Sequence, residues 1–228
     1  MEYRVLGISG SPVRGGNVET FLNKMLESIA QPNVSTEVVH LSGTNISECI
    51  HCNFCLSRQE EGKYCSLKDD AQKVFEKVEA ADIIILSSPV YFMRTSAHMA
   101  AFIDRLRVFV FGNLVQGRLR NKIGVSSAVS WLRNGGVETT HLSHLYAFMT
   151  LEMIPASIHK GVSPLGASAL ASSEGCGVFD PSVRAGILED DAGLESAKAI
   201  MERALELAGI IKKYDDFYRR SHRHSDNP

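Results

Sequence analysis

Four of the five cysteines in this 228-residue chain fall within seventeen residues, CIHCNFCLSRQEEGKYC, from Cys49 to Cys65. Cys49, Cys52 and Cys55 are spaced C-x2-C-x2-C, and Cys65 follows after nine more residues. Thiolates at x2 spacing can converge on one cuboidal iron–sulfur cluster, and bacterial ferredoxins open their motif the same way. Zinc also takes four thiolates, but usually from two separated C-x2-C knuckles, where a third Cys at x2 spacing is unusual. Free thiols are the third reading. The nine-residue gap is no barrier to a shared site, because doubling a loop adds only ~0.6 kcal/mol of closure cost. His51, between two of the cysteines, is expected to be exposed rather than a ligand, and Cys176, in SSEGCGVFD, stands alone.

A second group of residues has the chemistry of anion binding. SGSPVRGGN offers the hydroxyls of Ser9 and Ser11, the guanidinium of Arg14, small residues at Gly15 and Gly16, and Asn17 as a candidate helix cap. Backbone N–H groups at a helix start bind phosphate with help from the helix dipole, and glycine lets the backbone approach closely. The loop lacks both G-x-G-x-x-G and G-K-[ST], so it is neither a dinucleotide fingerprint nor a Walker A loop. Two further loops carry suitable groups: PVYF, with Pro89, Val90, Tyr91 and Phe92, and SSAVSWLRNGG, with small polar residues at both ends. Together the three suit a phosphate attached to a flat heteroaromatic ring, such as FMN.

The elements that must position these loops alternate along the chain. Apolar, β-rich runs are expected as strands over Tyr3–Ile8, Val34–Leu41, Asp82–Ser88, Asn121–Val129 and Met153–His159. Apolar residues at helical spacing predict helices over Val18–Ala30, Lys68–Ala80, Ala97–Phe111, Val137–Thr150 and Gly193–Phe217. DIIILSS is continuously apolar at its start, as a strand buried on both faces of a parallel sheet would be. Alternating strands and helices predict an α/β fold with a doubly wound five-stranded parallel sheet, whose ligands bind at the carboxyl ends of the strands. All three loops lie at such ends. Residues 161–192, rich in Gly, Ala and Ser, read as an irregular excursion, and 218–228 as a polar tail. One domain over 1–217, with 49–65 as a Cys-rich insertion loop, accounts for the rest.

Composition narrows the function classes. With 44% hydrophobic and 22% charged residues the chain is ordinary for a globular protein, and its net charge of −2 lacks the basic surplus of a nucleic-acid binder. No apolar run approaches the ~20 residues of a membrane span, and MEYRVLGISGSP does not read as a signal peptide. A cytoplasmic location is expected, where thiols stay reduced and a disulfide framework is unusual.

In order along the chain, GISGSPVRGGN, the cysteines followed by KDD, ADIIILSSPVYF, FIDR, GGVET and GILEDDAGLESAK resemble the NADPH-dependent FMN reductase superfamily, and within it the iron–sulfur flavoproteins. The resemblance spans nearly the whole chain. It implies a flavodoxin-like three-layer sandwich with strand order 2-1-3-4-5 and bound FMN. It puts the FMN phosphate on Ser9, Ser11, Arg14, Gly16, Asn17 and Val18, the last standing where the family often has Thr. Pro89, Val90, Tyr91 and Phe92 would pack along the isoalloxazine, with Ser126, Ser127, Ala128, Gly135 and Gly136 bordering its other side. It also implies a [4Fe–4S] cluster on Cys49, Cys52, Cys55 and Cys65, although the gap before Cys65 is longer than in most relatives. A homodimer or homotetramer is implied as well.

The activity expected is electron transfer through FMN, with reduced ferredoxin or NAD(P)H as donor and a small-molecule acceptor. A cluster-free NAD(P)H-dependent FMN or quinone reductase, a non-catalytic flavodoxin-like carrier and a flavin-free binding module are the alternatives. FMN itself does the chemistry, so no catalytic side chain is required. Among the remaining polar residues, His141 and His144 lie three apart on one predicted helix face and read as packed or solvated. His222 and His224 fall in the tail. Asp69 and Asp70 begin a helix, where carboxylates favour the dipole, and Asp104–Arg105 reads as a structural ion pair or subunit contact.

Overall fold

The computed structural model describes residues 1–159, 162–178, 180, 182 and 185–222. Its strands are β1 (Tyr3–Ser9), β2 (Val34–His40), β3 (Ile83–Pro89), β4 (Ile123–Ser130), β5 (Ile154–Pro155) and β6 (Ala167–Leu170). Its α-helices are α1 (Asn17–Glu27), α2 (Ala71–Ala80), α3 (Ala97–Arg105), α4 (Arg107–Phe111), α5 (Val137–Thr150) and α6 (Asp191–His222). All strand pairs are parallel, in the order β2-β1-β3-β4-β5, with β6 also on β4.

Every residue of β3 and β4 is buried, as suits the central strands of a parallel sheet. The two-residue period of the strand divides the core between the two faces. Ile84 and Leu86 pack with Phe75, Phe102, Phe109 and Phe148 from α2, α3, α4 and α5. Ile83 and Ile85 pack with Phe21, Leu22, Ile200 and Met201 from α1 and α6. The result is the flavodoxin-like three-layer sandwich. Two of the serines inside these strands pair with each other and a third binds the backbone: Ser87 and Ser127 hydroxyls lie 3.0 Å apart, and Ser88 Oγ accepts the Ser96 amide at 2.9 Å.

The structure departs from the sequence expectations in five places. The helix expected over 97–111 breaks at Leu106 into α3 and α4. The strand expected over 153–159 shortens to Ile154–Pro155, where proline supplies no ladder donor. The excursion over 161–192 contains β6, which rejoins the same edge of β4. The last helix continues from Asp191 through His222, so the tail starts later than 218, and 223–228, with His224, lie outside the described residues. Finally, Arg105 pairs with Asp69 and not with the adjacent Asp104. No helix among the described residues is long and apolar enough to cross a membrane.

Candidate functional site

A cleft of about 810 Å³ opens at the carboxyl ends of β1, β3 and β4. Ser11, Val13, Gly16, Asn17 and Val18 form its floor, Pro89, Val90 and Tyr91 one wall, and Val129, Ser130 and Trp131 another. A third wall includes Ala171, Ser172, Cys176, Val178 and Asp180.

The first loop leads directly into α1. Gly16 caps α1 with extended backbone and no side-chain hydrogen bond, which leaves the first-turn amides without a side-chain cap. The Gly15 amide already donates to a carboxylate, Glu19 Oε2, at 2.7 Å. Ser11 Oγ is bound within its own loop, accepting from the Val13 amide at 3.1 Å, and Ser9 Oγ accepts the Ser11 amide at 3.4 Å. Asn17, expected as the cap, instead accepts the Ile187 amide through Oδ1 at 3.1 Å and so latches the segment before α6 to the cleft. The Arg14 guanidinium is exposed and donates to the Ser42 carbonyl at 3.0 Å. Val18 is buried against the core.

The second loop turns back on itself between Tyr91 and Arg94. Its two central residues, Phe92 (φ 50°) and Met93 (φ 58°), are both left-handed, as a type I′ turn demands. Neither is glycine, so the turn carries strain. Tyr91 is half exposed at the cleft, whereas Phe92 is 98% exposed and points away from the protein.

In the third region, Ser126, Ser127 and Ala128 are buried inside β4, and the cleft wall falls one to three residues later, at Val129–Trp131. Ser126 Oγ bridges His141 Nδ1 at 2.7 Å and His144 Nδ1 at 2.8 Å. Ser168 meets His141 Nε2 at 2.8 Å, and Thr95 meets His144 Nε2 at 3.1 Å. Burial lowers both imidazoles, His141 to about 4 and His144 to about 3. Gly136, at φ 102°, caps α5; a Cβ there would sit 2.4 Å from Met93 Cα, so this glycine lets α5 meet the second loop. A Cβ on Gly135 would sit 2.4 Å from Ser130 Oγ.

Trp131 and the wall around Cys176 were missed by sequence reasoning. The Leu132–Cys176 bridge joins the two segments across 44 residues, a pairing with no local signature. The GILEDDAGLESAK motif was the available signal, because Glu189 and the latched Ile187 lie in it.

The cysteine segment is fastened to the protein throughout its length. His51 (φ 53°) and Asn53 (φ 59°) are left-handed and lead into a 3-10 turn over Phe54–Leu56. The Cys55 carbonyl accepts the Asn113 amide at 2.9 Å. Gln59, buried, donates to the Tyr64 and Val108 carbonyls and accepts the Leu114 and Val115 amides. The Tyr64 hydroxyl donates to Glu79 at 2.8 Å, and burial with that carboxylate pushes its pKa up to about 12.

Cys49 and Cys65 lie near enough to Cys55 for their charges to act on it. Burial pushes the Cys55 thiol up, with Arg107 opposing. Cys52 Sγ lies 3.0 Å from Ser66 Oγ, and that hydrogen bond, with one from the Phe54 backbone, lowers its thiol. Among the described residues no three metal-capable side chains are already drawn around one point. A single tetrahedral ion would need its sulfurs ~2.3 Å from one centre. The ligands of a four-iron cuboid bind separate irons and stand further apart. Four thiols on one fastened loop are a donor set of the kind that either a cluster or a lone ion takes.

Comparison with known proteins agrees with this geometry. The model of the NADPH-dependent FMN reductase family matches residues 3–161. An iron–sulfur flavoprotein of Methanocaldococcus jannaschii is 35% identical over 210 residues, covering 92% of this chain and 100% of that protein. An iron–sulfur flavoprotein of Archaeoglobus fulgidus is 32% identical, covering 92% and 97%. Among solved structures, RosB with bound 8-demethyl-8-formylriboflavin-5'-phosphate superposes with a TM-score of 0.69 at 13% identity, over 99% of this chain and 89% of that one. The NAD(P)H:quinone oxidoreductase of Methanothermobacter marburgensis gives 0.55 at 15% identity, over 90% and 98%. The chain thus belongs to the NADPH-dependent FMN reductase family, among its iron–sulfur flavoproteins, and is a flavin-dependent oxidoreductase that uses FMN.

Proposed function

We propose that this oxidoreductase passes electrons from reduced ferredoxin or NAD(P)H to a small-molecule acceptor, through FMN in the cleft and a [4Fe–4S] cluster on Cys49, Cys52, Cys55 and Cys65. The observation that carries the cluster is the cysteine segment itself. Its C-x2-C-x2-C run and Cys65 sit in one loop fastened to α4 through Gln59 and Val108 and to α2 through Tyr64 and Gln72. The names of the relatives support the same reading.

Bound FMN supplies the coupling of one-electron to two-electron chemistry, and the protein's task is to hold and orient it. The amides at the start of α1 offer the phosphate its hydrogen bonds. Ser9 and Ser11 set the shape of that loop, and Asn17 holds the third wall against it. Tyr91 and Trp131 both line the cleft and offer aromatic surface to the ring. Arg14 would reach the phosphate only by leaving the Ser42 carbonyl. A quinone or oxygen species is the class of acceptor we favour.

We further propose a cytoplasmic enzyme working as a homodimer or homotetramer. Tyr91, Phe92, Met93, Trp131 and Leu132 give the rim of the cleft an apolar surface suited to a second copy. The experiment is anaerobic purification with flavin, iron, acid-labile sulfide and zinc measured per chain, followed by steady-state assays with NAD(P)H and with reduced ferredoxin. One FMN with about four iron and four sulfide is expected. Flavin without iron would leave an NAD(P)H-dependent FMN or quinone reductase with free thiols.

A further inference from the structure

Arg105 and Arg107 sit two residues apart, where α3 gives way to α4. Between them they tie down the cysteine segment at four points. Arg105 Nη1 donates to the Ser47 carbonyl at 2.9 Å and to Asp69 Oδ2 at 2.6 Å, and Nη2 donates to Asp69 Oδ1 at 3.2 Å. Those contacts hold the chain just before Cys49 and just after Cys65. Arg107 Nη1 meets His51 Nδ1 at 2.9 Å, and Nη2 donates to Asn53 Oδ1 at 2.8 Å. Those hold the left-handed residues on either side of Cys52.

Each guanidinium spends its Nη groups on the loop and keeps its Nε–H buried without a partner. A buried donor left unmade costs ~1–3 kcal/mol, more for a charged group. Two such donors beside one set of thiols call for an acceptor. The surroundings name its chemistry. The Cys65 sulfur stands against the Arg105 guanidinium, and Arg107 is the cation acting on Cys55. A neutral thiol is a weak acceptor, whereas a thiolate or inorganic sulfide in a cluster carries negative charge and accepts well.

Resting on the cluster reading above, we propose that Arg105 and Arg107 are positioning residues for that cluster: their Nη groups hold the ligand loop in place and their Nε–H groups donate to its sulfur, retaining the iron and raising its reduction potential. Hydrogen bonds to sulfur and nearby positive charge both favour the more reduced, more negative state.

The test uses the full chain, purified anaerobically as wild type, Arg107→Gln, Arg107→Lys and, as a control, Arg120→Gln. Arg120 is exposed and pairs with Glu152 at 3.2 Å. The readouts are iron and sulfide per chain, the rate of iron loss to a chelator, the midpoint potential from a titration followed by electron paramagnetic resonance, and circular dichroism for the fold. Arg107→Gln should lose iron about tenfold faster or more, the range for outer ligand-shell groups, and its potential should move negative. Arg107→Lys keeps the charge but lacks the Nε–H, so it should recover part of the potential without recovering retention. Arg120→Gln should match wild type. Iron loss and potential unchanged in Arg107→Gln would overturn the inference and leave the cluster standing. Wild-type protein without iron and sulfide would overturn the cluster reading, and the inference with it. If Arg107→Gln does not fold, Arg107→Lys decides: iron loss at the wild-type rate overturns the role of the Nε–H.

Discussion

Arg105 and Asp69 form a two-pronged ion pair, at 2.6 and 3.2 Å, with side chains only 1% and 6% exposed. Burial alone would raise the Asp69 carboxyl, but hydrogen bonds from Arg105 and from the Ala71 and Ser47 amides outweigh it and hold its pKa below the usual carboxylate range. Removing one partner of such a pair leaves a buried charge uncompensated, at a cost of about 3–5 kcal/mol. Asp69→Asn should therefore lower the unfolding free energy by roughly that much in urea titrations. A loss under about 1 kcal/mol would mean that the pair is hydrated in solution.

The buried histidines give the protein a pH-dependent stability. Both imidazoles have folded pKa values below the ordinary 6.5, so between 6.5 and about 4 the unfolded chain binds protons that the folded chain refuses. Their stabilising contribution is complete above pH 6.5 and falls as pH drops, by about 1.4 kcal/mol per pH unit for each histidine. His40, lowered by burial, adds to the same slope. Denaturation midpoints at pH 7 and pH 5 measure it, and His141→Gln should flatten it. An equal slope in that variant would show that His141 is charged in the native protein.

The uncapped start of α1 predicts how FMN affinity responds to the backbone there. A Cβ on Gly16 would meet Val13 Cγ1 at 3.1 Å, so Gly16→Val must push the Val13 side chain aside in the loop that lines the cleft. FMN binding by fluorescence quenching should weaken more than about tenfold, or 1.4 kcal/mol. Wild-type affinity would place the phosphate elsewhere.

Phe92 pays for a left-handed backbone and gains no packing within the chain. Asparagine tolerates that conformation. In an isolated protomer Phe92→Asn should raise stability by up to about 1 kcal/mol. If the side chain packs on a second copy, thermal stability should fall instead, together with the mass measured by light scattering.

The alternation of strands and helices was legible because β3, buried on both faces, opens on a run of apolar residues, and the flanking helices show apolar residues at helical spacing. The cysteine spacing was equally plain. The guanidiniums that fasten the loop were not, since Arg105 and Asp69 lie 36 residues apart and the adjacent Asp104 offered a nearer partner. His141 and His144 share a helix face at a spacing the sequence displays, but the serine joining them comes from β4. Strand β6 stayed hidden because Ala167–Leu170 is built mostly of small residues, without the β-branched signature of its neighbours.

The divided edge of the sheet has a consequence for how this cleft can vary. Ile123 pairs with Ile154 and Ser127 with Ala167, so the offset between partners grows from 31 to 40 residues along one strand. Nine residues are spliced in while β4 keeps its register, and no sheet residue changes the face it presents. The splice leads directly into the segment that forms the third cleft wall. Lengthening or trimming it alters the ligand's enclosure at the small cost of loop closure, whereas the same change inside a strand would turn its core outward. Substrate range in this architecture can therefore be retuned from one edge of the sheet, independently of the cysteine loop, which is fastened to α2 and α4.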